Sequence, residues 1–195
     1  NIVYNLSMNI VLRIILVLLV VFFGSQKDTF SSFNKNFAKS YYFEHCIVAK
    51  ESSKDSPLHV VQVVDGDTIQ VSKDCKPVTV RLIGINTPET VDPRRTVECF
   101  GHEASNRAKE ILSNVDVKIE TDPSQDTYDK YGRLLGYVIM QDGTNFNQKM
   151  IAEGYAYEYT YNTPYRYQKE FKEAQKSAQK EDLGLWAKNT CDGKK

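Results

Sequence analysis

The chain has 195 residues, room for one ordinary domain and a short extension. With 41% hydrophobic and 26% charged residues, it has the make-up of a folded soluble domain, which excludes wholesale disorder. The 25 basic and 25 acidic residues leave no net charge, so a bulk electrostatic grip on nucleic acid is excluded, and any such contact must come from a local cluster of arginines and lysines.

Taken in chain order, the first feature is an apolar run over residues 14–23, preceded by Arg13 and followed by Gly24, Ser25 and polar residues. A spanning helix needs about 20 apolar residues, whereas the hydrophobic stretch of a signal peptide needs roughly 7–15. Residues 1–25 therefore read as a signal peptide, for which Met8 is a more typical start than Asn1. The alternative is an uncleaved membrane anchor over residues 10–24, because Phe22 and Phe23 are bulky where cleavage wants small side chains. Both readings place the protein outside the cytoplasm, secreted or anchored by a membrane contact. Residues 26–56 form a polar linker, in which Phe30, Phe33, Phe37 and Tyr41 recur at helical spacing.

The folded part spans residues 57–190, with a short tail over 191–195. Residues 59–64 and 68–71 are β-branched runs joined by Asp65-Gly66-Asp67, a hairpin signal because Asp and Gly tolerate positive φ. A third strand is expected over 78–85, a helix over 101–114 with Ala104, Ala108, Ile111 and Leu112 on one face, and strands over 115–120 and 134–140. Asn145 is placed to cap a second helix running to Gly154. A third helix is expected over 167–182, stopped by Gly184, with Leu185 and Trp186 folding back onto the core. Three strands, a helix, two strands and then helices describe a five-stranded Greek-key barrel of the OB type with three helices, an α+β fold.

The cysteines Cys46, Cys75, Cys99 and Cys191 suit an oxidising compartment and allow three full pairings. None forms a Cys-x-x-Cys, and His45, His59 and His102 lack zinc-ligand spacing.

Four polar clusters lie at or beside strand ends: Asp65-Gly66-Asp67-Thr68, Arg81, Asn86-Thr87-Pro88-Glu89 and Asp129-Lys130-Tyr131-Gly132-Arg133. Each alone has an ordinary structural explanation in turn or loop chemistry. Together they hold what phosphodiester hydrolysis requires. Asp67, the Asn86 side chain and the Thr87 carbonyl are oxygen ligands for a hard cation such as calcium. Pro88 biases Thr87 to an extended conformation that aims its carbonyl outward. Glu89 is a carboxylate able to orient or deprotonate a water. Arg81 and Arg133 carry planar forks that bind phosphate oxygens in pairs.

These segments, in this order, resemble the signature of the staphylococcal nucleases. Phe100-Gly101-His102-Glu103-Ala104-Ser105 and Leu183-Gly184-Leu185-Trp186 match as well, so the resemblance covers about residues 57–190. It implies a calcium-dependent endonuclease and exonuclease acting on DNA and RNA and leaving 3′-phosphates. Carried over by position, it implies that Arg81, Glu89 and Arg133 are catalytic. Asp67 and Thr87 match metal ligands, and Lys130 and Tyr131 match residues that contact the substrate phosphate and sugar. The family's usual aspartate is replaced here by Asn86, which keeps an oxygen but removes a negative charge and predicts a weaker calcium site.

Tyrosines at 155, 157, 159, 161, 165 and 167 follow the second helix. The strand-like alternation of the first four is compatible with one base-stacking face for single-stranded substrate, each ring contributing about 1–3 kcal/mol; packing between the last two helices is the structural alternative. A non-catalytic OB module that binds single-stranded nucleic acid would explain the barrel but not the arginines and acids together. A surface-tethered interaction protein would explain the N-terminus and the tyrosines, and leaves the same four residues as coincidence. The enzyme reading implies a monomer with no protein partner.

Overall fold

In the computed structural model residues 56–90 and 96–194 are described. The apolar run, the Phe30, Phe33, Phe37 and Tyr41 spacing and the linker before residue 56 lie outside them. The elements are β1 (Leu58–Asp65), β2 (Thr68–Lys73), β3 (Lys76–Leu82), β4 (Ile85–Asn86), α1 (Gly101–Leu112), β5 (Asp116–Glu120), β6 (Leu134–Ile139), α2 (Phe146–Ala152), β7 (Tyr157–Glu158), α3 (Gln168–Lys180) and a 3-10 turn, Gly184–Trp186.

Five strands close into a barrel in the order β1-β2-β3-β6-β5, and β4 and β7 form a separate two-stranded ribbon. β5 returns to β1 through Leu58 opposite Val117 and His59 opposite Asp116. β6 runs parallel to β3, with Val80 opposite Leu134 and Arg81 opposite Leu135. This is the expected OB barrel with three helices.

The interior is made of Val60, Val63, Ile69, Val71, Val80, Leu82, Val117 and Val138, all buried. Val60 and Val63 are three residues apart, so strict alternation would put them on opposite faces. Two register shifts in β1, between Val60 and Gln62 and between Val63 and Asp65, reconcile them. The second shift also leaves Asp65 buried at the strand end.

The expected third strand does not run to residue 85. It ends at Leu82 because Gly84 has φ +79, and a Cβ there would lie 2.6 Å from the Tyr165 ring. The chain therefore bends and re-forms as β4, pairing with β7 through Ile85 opposite Glu158 and Asn86 opposite Tyr157. The bend is held from within by Asn147, whose side chain donates to Ile83 O at 2.9 Å and accepts from Val138 N at 3.1 Å.

α1 buries Ala104, Ala108 and Leu112, the face the spacing predicts. Asn145 caps α2 by accepting from Gln148 N at 3.2 Å. α3 buries Phe171 and Ala178 and stops at Lys180, short of the expected 182. Gly184 is not its terminator: it starts the 3-10 turn and crosses Gly154 backbone to backbone, where a Cβ would meet Gly154 O at 2.3 Å. Leu185 is fully buried beyond that crossing. Cys99 and Cys191 form a disulfide with Cα atoms 5.9 Å apart, tying the start of α1 to the segment after the 3-10 turn.

Candidate active site

The β1–β2 turn supplies the first acidic group. Asp65 pairs with Thr68, which leaves Gly66 and Asp67 at the apex. Neither has a positive φ, so the Asp-Gly pair makes the turn without the conformation expected of it. Gly66 is needed for space instead, because a Cβ there would lie 2.6 Å from Thr87 Cγ2. That close approach brings the turn against the segment after β4. Asp67, buried, accepts from Thr87 N at 3.0 Å through Oδ2 and from Thr68 Oγ1 at 3.0 Å through Oδ1.

Arg81 is on the less buried face of β3, between buried Val80 and Leu82, as its odd-numbered position predicts. Its guanidinium fills the inside of the bend at residues 83–84. Nη1 donates to Leu82 O at 2.9 Å and Ile85 O at 3.0 Å, with a longer contact of 3.4 Å to Asp67 O. Nη2 lies 3.1 Å from Asp67 Oδ2 and 3.3 Å from Asn86 Oδ1. Asp67, Arg81, Asn86 and Thr87 are thus one connected group. Thr87 Oγ1, beside it, is buried with no hydrogen-bond partner.

Glu89 is three residues beyond Asn86. Its main chain is paired with Glu98: Glu98 N donates to Glu89 O at 2.9 Å, and Glu89 N donates to Glu98 Oε2 at 3.0 Å. Its carboxylate accepts from Thr90 N at 2.9 Å, and Thr90 Oγ1 in turn donates to Asp65 at 2.9 Å. Burial pushes the Asp65 carboxyl up from its ordinary range, and the charges of Asp67 and Glu89 add to that against the hydrogen bonds from Gly66 and Thr90. Three acids therefore share one electrostatic neighbourhood, an excess of negative charge that a cation would relieve.

Among the described residues no three His, Cys, Asp or Glu side chains form a metal-holding group. The expected ligand set contains a single carboxylate, Asp67, with an amide and a threonine. Its chemistry fits a hard cation: a buried carboxylate and an amide oxygen meet at Arg81, and the Thr87 oxygen the structure leaves without a partner is the buried hydroxyl, not the carbonyl expected from the sequence.

Arg133 comes from the loop before β6. The parallel register puts Leu135 opposite Arg81, so Arg133 enters beside β3 two residues upstream. Its contacts are with its own loop rather than with the Asp67 group. Asp129 accepts from Arg133 Nε at 2.6 Å, from Arg133 N at 2.9 Å and from Tyr131 N at 2.9 Å. Burial would raise the Asp129 carboxyl, but these donors, Arg133 foremost, hold it below its ordinary range. Tyr131 is 72% exposed and lies between two cations, with Lys130 Nζ at 5.1 Å and Arg133 Cζ at 5.4 Å from its ring centre.

The tyrosine series does not form one face. Tyr159 and Tyr161 are exposed, with ring centres 6.4 Å apart. Tyr157 is buried edge-on against Trp186 at 5.3 Å, and Tyr155 packs on Phe100 at 5.4 Å. Tyr165 and Tyr167 pack on Phe171. Only residues 157–158 are strand, so the alternation is broken on both sides. Glu98 and Asn147 also support the site, and neither belongs to a sequence cluster that points to it; Asp65, within the first polar cluster, carries no role assigned from the sequence.

The sequence profile of the family described as staphylococcal nuclease homologue matches residues 79–188. The chain is 40% identical to the thermonuclease of Staphylococcus hyicus over 136 residues, covering 70% of this chain and 79% of that protein. It is 44% identical to the thermonuclease of Staphylococcus intermedius over 127 residues, covering 65% and 74%. It is also 40% identical over 129 residues to the SPbeta prophage-derived endonuclease YokF of Bacillus subtilis (strain 168), covering 66% of this chain and 43% of that one. Barrel, ordered segments and these matches agree: the chain belongs to the staphylococcal nuclease family.

Proposed function

We propose that this nuclease is a calcium-dependent phosphodiesterase that cuts DNA and RNA, within the chain and from its ends, and leaves 3′-phosphates. The observation that carries the reading is the linked group in which Asp67 holds Arg81 Nη2 and Thr87 N beside the orphaned Thr87 hydroxyl. Asp67, Asn86 and Thr87 are the residues that would hold Ca2+. When bound, the ion would polarise a phosphate oxygen and acidify water.

The remaining steps belong to the protein's own side chains. Arg81 holds Nη2 beside Asp67 and Asn86 while Nη1 is anchored on carbonyls, so the orientation of its guanidinium is organised before substrate arrives. Glu89 takes a proton from the attacking water or aligns it. Arg133, oriented by Asp129, donates to the phosphate as negative charge grows. Lys130 and the exposed Tyr131 face the substrate beside it, toward phosphate and sugar. Exposed Tyr159 and Tyr161 offer rings for stacking unpaired bases, which favours single-stranded substrate.

The Cys99–Cys191 disulfide supports action outside the cytoplasm, by a secreted or anchored protein. The test is hydrolysis of heat-denatured DNA with calcium, with magnesium and with a calcium chelator, beside an Arg81→Ala, Glu89→Ala double variant. Calcium-dependent cutting that disappears in the variant is the expected result. Binding without cutting at any calcium concentration would replace this reading with the non-catalytic OB module.

A further inference from the structure

The geometry points to the Cys99–Cys191 disulfide as a positioning link for Glu89, which makes hydrolysis depend on the redox state of that bridge. The inference rests on the reading of Glu89 as the residue that acts on the attacking water.

Glu89 follows β4, and the described residues around it, 87–90 and 96–98, belong to no helix or strand. What fixes its main chain is the reciprocal pairing with Glu98, through Glu98 N to Glu89 O and Glu89 N to Glu98 Oε2. The next residue is Cys99. The residue after that, Phe100, adopts φ +66, and Gly101 N closes back on Glu98 O at 3.0 Å. Gly101 is pressed against the Glu89 segment, since a Cβ there would lie 2.6 Å from Thr90 Cγ2 and 3.1 Å from Glu89 O. The residue paired with Glu89, Glu98, is therefore next to a covalent bond.

The other end of that bond leads back to the site by a separate route. Cys191 is buried, and Gly193 beyond it packs on the Trp186 ring and donates to Leu185 O at 2.9 Å. Trp186 packs edge-on against Tyr157, which pairs with Asn86. The disulfide thus closes a circuit from Glu89 through Glu98, Cys99, Cys191, Trp186 and Tyr157 to Asn86. It sets the loop that carries the carboxylate relative to the strand that carries Asn86, one of the expected metal ligands. Cys99 is exposed and Cys191 buried, so a reductant would approach the bridge from the Cys99 side.

The decisive experiment compares the parent, a Cys99→Ala, Cys191→Ala variant, Glu89→Gln, and the triple combination, at a temperature where all are folded. We expect the paired cysteine variant to lose kcat by roughly tenfold to a hundredfold, with KM and the calcium midpoint unchanged. In the Glu89→Gln background the same substitutions are expected to cost nothing further. Unchanged kcat in the paired variant, or an equal loss in the Glu89→Gln background, would overturn the positioning role. Glu89→Gln cutting as fast as the parent would instead overturn the reading of Glu89, and the proposal with it.

Should the paired variant not fold, dithiothreitol acting on the folded parent reads the same link. The reagent's dithiol supplies two electrons and two protons, becoming a cyclic disulfide while the bridge becomes two thiols. Cys75 is also disulfide-bonded, so a Cys75→Ala protein treated in the same way serves as the control. Faster amide exchange at Glu89 and Glu98 together with a lower kcat is the expected result; unchanged exchange and kcat would overturn the proposal.

Discussion

Nη1 of Arg81 is committed to the main-chain carbonyls of Leu82 and Ile85, whereas Nη2 faces the side chains of Asp67 and Asn86. A lysine has one nitrogen and no planar fork, so it cannot serve both. Arg81→Lys is expected to lower kcat by roughly 10²–10³, the usual cost of one lost transition-state donor, and steady-state kinetics at saturating calcium will show it. Asn86 is the second residue with a direct consequence. Asn86→Asp adds a charge to the ligand set, and isothermal titration is expected to show calcium binding about tenfold tighter, or about 1.4 kcal/mol. No tightening would remove Asn86 from the explanation of a weak site. Gly66→Ala tests the joint between turn and strand. Its methyl would meet Thr87 Cγ2 at 2.6 Å, so a stability loss of about 1–3 kcal/mol with weaker calcium binding is expected from thermal unfolding and titration.

At the scale of elements, the buried carboxylate of Asp122 joins the β5–β6 connection to the start of α3. It accepts from Tyr137 Oη at 2.7 Å, Arg166 N at 2.7 Å and Ser124 N at 2.9 Å. Burial would raise its pKa, but these donors lower it to about 2, from 3.8. Because the folded value lies below the unfolded one, the stabilisation is present above pH 3.8 and is lost as pH falls through about 2. It amounts to about 2 kcal/mol at neutral pH. Asp122→Asn should remove it and flatten the acid limb of stability between those values, which urea unfolding across pH will test. Elements of this kind differ in how legible they were. The barrel strands and α1 follow from alternation and four-residue spacing, and the site clusters from turn residues at strand ends. β4 and β7 did not, because two-residue strands have no period, and their pairing depends on a bend at Gly84 forced by Tyr165, 81 positions away along the chain. The bulges in β1 are likewise set by barrel closure, and Asn147 by carbonyls from two strands that only meet in the fold.

For the whole molecule, neutrality overall coexists with two cations gathered at the exposed Tyr131 ring, Lys130 and Arg133, so positive charge is arranged and not abundant. The barrel sets the segment carrying Arg133 beside the strand carrying Arg81 by running β6 parallel to β3, with Arg81 opposite Leu135. The disulfide has a separate consequence for the integrity of the chain. Residues 99 to 191 form a covalent ring that contains α1, β5, β6, α2, β7, α3 and the 3-10 turn, and the exposed Lys130 turn lies on its circumference. One proteolytic cut in a ring opens it without releasing a piece. Trypsin cleavage after Lys130 should leave a single band of unchanged mass on a denaturing gel, and two fragments once reductant is added. Two fragments without reductant would show the ring to be open in solution. A molecule closed in this way can be scarred at its exposed Lys130 turn and still remain one molecule.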